Sequence, residues 1–204
     1  VFHGDAVIDP YEWMRDKQSP EVRDYVAAQN AYCDARMAGL TGLRGTLFDE
    51  LKAHVQETDM SVPVRMDGYW YFARTREGSQ YAVQCRVPVR GEDDWTPPEV
   101  GGAGDEGGSA VGAGSLPGEQ VVFDANREAE GHDFFALGGL SVSKDGRWML
   151  YGVDTRGDER YDFRIRDLDT GDELPEHLDG IGAACFTPDA RWVFYVCLLY
   201  TSDA

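Results

Sequence analysis

Residues 143–151 read Ser-Lys-Asp-Gly-Arg-Trp-Met-Leu-Tyr, and residues 187–195 read Thr-Pro-Asp-Ala-Arg-Trp-Val-Phe-Tyr. Asp145, Arg147, Trp148 and Tyr151 recur as Asp189, Arg191, Trp192 and Tyr195, each 44 positions later (189 − 145 = 44). In both copies Asp and a small residue signal a turn, and an aromatic, strand-forming run follows. A period of this size, built from a turn and an aromatic strand, suggests four-stranded units stacked side by side, as in the blades of a β-propeller. The second copy starts at Thr187 in a chain of 204 residues, so the repeat is established once and only opened a second time.

Around the first copy, residues 137–142, 148–153, 161–168 and 173–178 read as the four strands of one blade. Asp145-Gly146, Arg156-Gly157-Asp158 and Asp169-Thr170-Gly171-Asp172 supply the turns between them. Upstream, residues 120–123 read as a strand, as do 69–74 and 80–87, the latter two joined by a turn at Glu77-Gly78-Ser79. Asp67-Gly68 before Tyr69-Trp70 loosely echoes Asp145-Gly146 before Arg147-Trp148, at a spacing of 78 (145 − 67), one repeat plus 34 residues. That excess falls on residues 91–118, which are rich in Gly, Pro, Glu, Asp and Ala, lack periodicity and read as a flexible surface insertion. Its glycines do not have a nucleotide-binding spacing, and no Lys follows them. Gly112-Ala113-Gly114-Ser115 also fails the nucleophile elbow, which needs Gly two before and two after the Ser.

The first sixty residues follow another rule. After an irregular opening with a turn at Asp9-Pro10, Ser19 reads as an N-cap, Pro20 as the first helical residue and Glu21 as a first-turn acid. Val22, Tyr25, Val26, Tyr32, Cys33 and Met37 recur at spacings of three and four, with Gln29 and Arg36 breaking the stripe. Gly39 is placed to end this helix in a left-handed conformation. A shorter helical pattern runs through Leu43, Leu47, Phe48 and Leu51. The reading is therefore a helical segment over 1–60 and a partial propeller over 61–204.

Composition sets the outer limits. With 42% apolar and 12% aromatic residues the chain has material for a core and does not read as disordered. The longest apolar runs, 192–196 and 197–200, are far short of a membrane span. No signal peptide is recognisable, although the chain begins at Val1 rather than Met. Cys33, Cys85, Cys185 and Cys197 lack metal-like spacing and read as buried thiols in a reducing, cytoplasmic compartment. A net charge of −18 argues against nucleic-acid partners. The same charge fits either a highly soluble surface or the steering of cationic peptides toward a site.

Polar candidates for chemistry are few. His132, in Glu130-Gly131-His132-Asp133, has a carboxylate neighbour but no accompanying nucleophile, so it reads as a packing or turn residue. His3, His54 and His177 have no clustered partners that suggest a metal site. Asp167, Asp169 and Asp172 miss the calcium-loop spacing and read as turn residues. Trp148 and Trp192 read as core between blades. No catalytic, cofactor-binding or metal-binding residue is assigned.

Three blocks, in this order, carry a resemblance. They are Asp9-Pro10-Tyr11-Glu12-Trp13-Met14-Arg15-Asp16, residues 124–137 (DANREAEGHDFFAL) and residues 154–171 (DTRGDERYDFRIRDLDTG). Over residues 5–196 the chain resembles the N-terminal part of the prolyl oligopeptidase family of serine peptidases, with oligopeptidase B as its nearest branch. The resemblance implies a mainly β fold: an N-terminal helical segment, then the first two to three blades of a seven-bladed propeller. It further implies a cytosolic enzyme in which the propeller gates a C-terminal α/β-hydrolase domain bearing a Ser-Asp-His triad. Its substrates would be short peptides cleaved after Arg or Lys, and residues 1–55 would pack on the hydrolase domain. The triad and the pockets for the basic side chain belong to the C-terminal half, so no catalytic residue is carried over. The insertion at 91–118 is longer and richer in glycine than the family pattern. Residues 197–204 depart from it and read as a foreign tail. The alternative is a stand-alone interaction module whose open strand edges recruit a partner. A scaffold propeller belonging to no enzyme fits less well, because it has no use for the helices or the Asp-Pro-Tyr-Glu-Trp block.

Overall fold

The computed structural model describes residues 3, 4, 6, 8–98 and 116–197. They fall into two compact units, residues 1–55 and 56–204.

In the first unit, the Asp9 carboxylate accepts the Tyr11 amide at 2.9 Å ahead of a 3-10 turn over Glu12–Arg15. Helix α1 spans Pro20–Met37; Ser19 adopts extended backbone and its hydroxyl accepts the Val22 amide at 3.2 Å, satisfying one of the orphan donors of the first turn. This is the cap expected from Ser19-Pro20. Gly39 behaves differently from expectation. It has no positive φ; the chain passes through a 3-10 turn at Ala38–Leu40 straight into α2, Thr41–Ala53. The Thr41 hydroxyl donates to the Ala38 carbonyl at 2.9 Å, so the join satisfies a carbonyl that a left-handed cap would otherwise serve. Of the apolar stripe on α1 only Val22 is buried, and the Leu43, Leu47, Phe48 and Leu51 face of α2 is exposed. Trp13 sits edge-on to Tyr25, ring centroids 5.4 Å apart. No helix among the described residues is long and apolar enough to cross a membrane, which does not bear on strands.

The second unit holds two antiparallel sheets. Strands β1 (Asp59–Met60) and β2 (Val64–Met66) lie end to end along one side of β3 (Tyr69–Thr75), which pairs with β4 (Val83–Pro88), which pairs with β5 (Gln120–Asp124). The sheet thus has four lanes. On β3, Trp70, Phe72 and Arg74 point to one face and are buried there, while Tyr69, Tyr71 and Ala73 are half-buried on the other, the period of two that a strand enforces. A single helical turn, α3 (Ala125–Glu128), is capped by Asp124, which accepts the Asn126 amide at 3.0 Å. It leads to the second sheet, ordered β6 (Ala136–Val142), β7 (Trp148–Asp154), β8 (Tyr161–Asp167), β9 (Glu173–Phe186) and β10 (Val193–Cys197), with β6 and β10 at the edges.

Strand β9 departs from expectation, running to Phe186 instead of ending at Leu178. Its first part pairs with β8, from Arg166↔Glu173 to Tyr161↔Ile181, and its second part pairs with β10, from Ile181↔Cys197 to Phe186↔Val193. One blade therefore hands over directly to the opening hairpin of the next. Cys197 is still paired within β10; residues 198–204, the rest of the expected foreign tail, lie outside the described residues.

One core cluster lies between the sheets. Val122 and Phe123 of β5, Ala125 of α3, Phe135, and Met149 and Tyr151 of β7 form one cluster, with the Phe123 and Tyr151 rings 5.1 Å apart. Leu150, on the opposite face of β7, packs with Phe163 and Ile181 in a second cluster. Strand β7 is thus covered on both faces, which explains its near-continuous apolar run. Each such large side chain contributes about 1.5–3 kcal/mol on burial. The ends of the 91–118 insertion are anchored rather than loose. Arg65 on β2 donates to the Asp94 carbonyl at 3.1 Å and the Glu92 carbonyl at 2.6 Å with its guanidinium 4.1 Å from the Trp95 ring. Leu116 packs on the cluster of Trp70 and Val87. Residues 99–115, with Gly112–Ser115 among them, lie outside the described residues.

The repeat in sequence is a repeat in hydrogen bonding. The Ser143 amide donates to the Trp148 carbonyl at 2.8 Å, and the Thr187 amide to that of Trp192 at 2.9 Å. The Asp145 carboxylate accepts the Arg147 amide at 3.1 Å, and Asp189 accepts that of Arg191 at 3.2 Å. The Ser143 and Thr187 hydroxyls donate to Asp145 and Asp189 and accept the amides of Trp148 and Trp192. Both turns put their fourth residue in the left-handed region, Gly146 at φ 78° and Ala190 at φ 53°. Glycine takes that conformation freely and alanine does not. Ala190→Gly is therefore expected to stabilise the chain by about 1 kcal/mol, read as a rise of about 2–4 °C in thermal melting.

Candidate functional site

The polar groups of the second sheet are arranged as a scaffold. Arg147, at the start of β7, donates two N–H groups to Asp167 Oδ2 at the end of β8, at 3.0 and 2.7 Å, with its guanidinium 4.6 Å from the Trp148 ring. This pair holds the Asp167 carboxyl below the usual carboxylate range. Asp167 also accepts the Asp169 amide at 2.9 Å, and its own amide donates to the Asp172 carbonyl at 2.8 Å. The three aspartates of this stretch thus close the β8–β9 turn. Asp154 does the same for the β7–β8 turn: its carboxylate accepts the amides of Arg156, Gly157 and Glu159 at 2.7, 2.9 and 2.8 Å. Burial pushes the Asp154 carboxyl up, and these amides more than reverse it.

Two networks reach into the interior. Arg166 on β8 meets Glu128 at 2.9 Å, Glu173 at 2.6 Å and the Tyr151 hydroxyl at 2.9 Å; that hydroxyl donates in turn to Glu173. Burial, with Glu173 beside it, keeps the Tyr151 phenol protonated far above its ordinary value. Glu173 is pushed up by burial but held low by Tyr151 and Arg166. In the first sheet, Arg74 pairs with Glu119 at 2.6 and 2.8 Å, and Glu119 also accepts the Leu116 amide at 2.7 Å. Burial and the neighbouring Glu119 push the Cys85 thiol up to about 12, so it carries no thiolate at neutral pH. Every strongly shifted group is already engaged with another side chain or a backbone amide.

The histidines are dispersed. His132 is exposed, its amide donating to the Ala129 carbonyl at 3.1 Å. His54 Nδ1 lies 2.7 Å from the Glu50 carbonyl, His177 Nε2 lies 3.5 Å from Asp179, and His3 is exposed. Among the described residues no serine hydroxyl meets a histidine, and no group of three or more His, Cys, Asp or Glu could hold a metal ion. The cysteines differ from expectation. All four are free, but only Cys85 is buried; Cys33, Cys185 and Cys197 are exposed on α1, β9 and β10.

The second copy of the repeat reverses the burial of the first. Met149, Leu150 and Tyr151 are 0–2% exposed, whereas Phe194 and Tyr195, the counterparts of Leu150 and Tyr151, are 67% and 52% exposed. Trp192 is 69% exposed, so of the two tryptophans expected as core only Trp148 is even half-buried. Among the described residues β7 lies between β6 and β8 with β5 and α3 packed on one face, whereas β10 pairs with β9 alone. Sequence similarity between the copies gives no signal of this, because the residues are equivalent and only their surroundings differ.

The depressed carboxylates set the acid limb of stability. Asp145, Asp154, Asp167, Asp189, Glu119 and Glu173 all have native values below their ordinary ones. Their stabilisation is complete above the ordinary carboxylate range and is lost as pH falls through the native values. Thermal melts followed by circular dichroism are expected to be level near neutrality and to drop below about pH 4. Asp167→Asn is expected to melt lower at neutral pH and to show a shallower acid limb.

Comparison with known proteins gives a consistent result. The family model described as the prolyl oligopeptidase N-terminal β-propeller domain matches residues 1–201. Dipeptidyl aminopeptidase BI of Pseudoxanthomonas mexicana is 37% identical over 197 residues, 95% of this chain and 26% of that protein. The structure of oligopeptidase B from Leishmania major superposes with a TM-score of 0.75 at 27% identity, covering 93% of this chain and 24% of that one. Oligopeptidase B from Trypanosoma brucei, in a closed form with covalently bound antipain, gives 0.74 at 28% identity, covering 94% and 24%. The chain spans about a quarter of the length of the relatives it matches.

Proposed function

The chain belongs to the prolyl oligopeptidase family of peptidases, and on that premise we propose that it is the N-terminal part of a serine oligopeptidase whose propeller screens access to a catalytic domain. In this reading residues 1–55 are the helical segment that packs on an α/β-hydrolase domain, and the strands from β1 onward supply the first blades of the screen. The nucleophile, base and oxyanion hole of acyl transfer come from the remainder of the intact protein. The chain alone is inactive, and the intact enzyme cuts short peptides after Arg or Lys in the cytoplasm.

One observation carries the reading. The second copy of the repeat repeats the turn of the first bond for bond, yet leaves its aromatic strand uncovered. The first copy is buried in part against another sheet, a neighbour that the exposed strand of the second copy lacks among the described residues. Support for basic substrates comes from the similarity to two oligopeptidase B structures above 25% identity and from the net charge of −18, which attracts cationic peptides. Four free thiols suit a reducing compartment.

A second reading of specificity is favoured by the 37% identical relative, which is named a dipeptidyl aminopeptidase. An enzyme of that kind needs a free amino terminus, whereas an endo-acting oligopeptidase does not. The intact protein is therefore to be assayed on chromogenic Arg-Arg peptides with free and with blocked amino termini, and on matched peptides ending in Ala or Pro. Cleavage of the blocked Arg-Arg peptide, abolished by a serine-directed inhibitor, is the expected result. Cleavage of only the free-amine peptide establishes the dipeptidyl reading. Failure to hydrolyse any of them leaves the interaction module, with the open edge of β10 as its binding strand.

A further inference from the structure

Arg86 lies in β4 and is 3% exposed, yet among the described residues the acceptors it meets are neutral. Its Nε donates to Gln120 Oε1 at 2.9 Å, a terminal N–H donates to the Gly146 carbonyl, and the guanidinium lies 4.1 Å from the centre of the Tyr69 ring. The Tyr71 hydroxyl also faces it. Arg74, Arg147 and Arg166 each meet a carboxylate directly. A buried cation without a carboxylate carries the cost of dehydration with little Coulombic return, and an apolar side chain of similar length would fill the space at less cost. Stability alone does not account for an arginine here.

What arginine adds is direction. Arg86 belongs to the first sheet, and the Gly146 carbonyl belongs to the β6–β7 turn of the second, 60 residues away in sequence. Elsewhere the seam holds the Arg166–Glu128 pair at α3 and the apolar cluster of Val122, Phe123, Met149 and Tyr151, whose attraction is non-directional and resists sliding only weakly, so at the β6–β7 turn direction comes from Arg86. The turn is pressed against the arginine: a Cβ on Gly146 would lie 2.5 Å from the Tyr69 ring and 3.3 Å from an Arg86 nitrogen. Planar, forked donors fix an angle in a way that oily contact and a flexible ammonium do not.

We propose that Arg86 is the positioning residue that sets the angle between the first two blades and keeps the seam between them closed to long polypeptides. The gating half of this rests on the propeller-screen reading above; the seam half does not.

The test uses the intact protein and the variants Arg86→Met, Arg86→Lys and Gly146→Ala. Hydrogen exchange reports the seam without reference to catalysis. In Arg86→Met the amides of residues 120–124 and 143–148 are expected to exchange about tenfold faster, with those of β8 and the first part of β9 unchanged. Gly146→Ala, which disturbs the same seam by volume against Tyr69 and by backbone strain at φ 78°, should give the same pattern, and Arg86→Lys a smaller effect. Hydrolysis of reduced, unfolded casein relative to a short blocked Arg peptide is then measured as a ratio of kcat/KM values. The ratio is expected to rise by about an order of magnitude in Arg86→Met and Gly146→Ala, with short-peptide kcat/KM retained. Unchanged exchange at residues 143–148 in folded Arg86→Met overturns the seam assignment. Faster exchange with an unchanged ratio overturns the gating role. A wild type that cleaves no basic peptide overturns the functional reading instead, and the exchange experiment still decides the seam.

Discussion

A twisted sheet with apolar residues on both faces cannot cover both of them by itself, and much of this structure follows from that constraint. Strand β7 shows the solved case. Met149 and Tyr151 are sealed against β5 and α3 on one side, and Leu150 against Phe163 and Ile181 on the other. The first cluster exists only because β5 and α3 stack on β7, whereas the second is closed by strands of the same sheet, so stability is set by stacking as well as by packing within the sheet. Strand β10 shows the unsolved case, with an equivalent sequence and its aromatic side chains in solvent. The relatives are about four times as long as this chain, and a fold that depends on stacking makes use of such length.

Where apolar contact sets how much surface is hidden, polar contact sets the geometry. The carboxylates that cap turns (Asp124, Asp145, Asp154, Asp167 and Asp189) each accept backbone amides within a few residues, fixing the strand ends locally. The long-range ion pairs, Arg147–Asp167 and Arg166–Glu173, tie neighbouring strands of one sheet. Arg166–Glu128 reaches from the second sheet back to α3, and Arg86 reaches forward from the first sheet to the β6–β7 turn. Register within a sheet and placement between sheets are thus held by different residues, and the second task falls on very few of them.

Much of this is legible in the sequence because it is local. The N-cap at Ser19, the strands around 69–74, 120–123 and 148–153, and the turn at Asp145-Gly146 depend on residues within a few positions of each other, and the fold keeps them where the pattern puts them. Legibility ends where the outcome depends on distant neighbours or on competing local partners. Gly39 suits a helix-ending role by residue type, but Thr41 satisfies the Ala38 carbonyl instead. The strand pattern of β9 stops at Leu178, although its second half finds β10 as a partner. Trp192 and three cysteines read as interior by residue type, and exposure is decided by what stacks on them. Arg86 gives no signal at all, since a lone arginine in a strand looks like a surface residue until the turn 60 positions later is brought against it.

Among the described residues the groups whose titration is most shifted are bound to one another. A catalytic group needs a shifted pKa and a free face toward substrate. Here the shifted groups are spent: Tyr151, Glu173 and Arg166 on one another, Glu119 on Arg74, Asp167 on Arg147. Such saturation makes rigid walls and poor reagents. Arg191 occupies the place of Arg147 in the second copy and, among the described residues, makes no ion pair, although its turn is already formed. In the first copy the answering carboxylate, Asp167, comes from the next strand of the same blade.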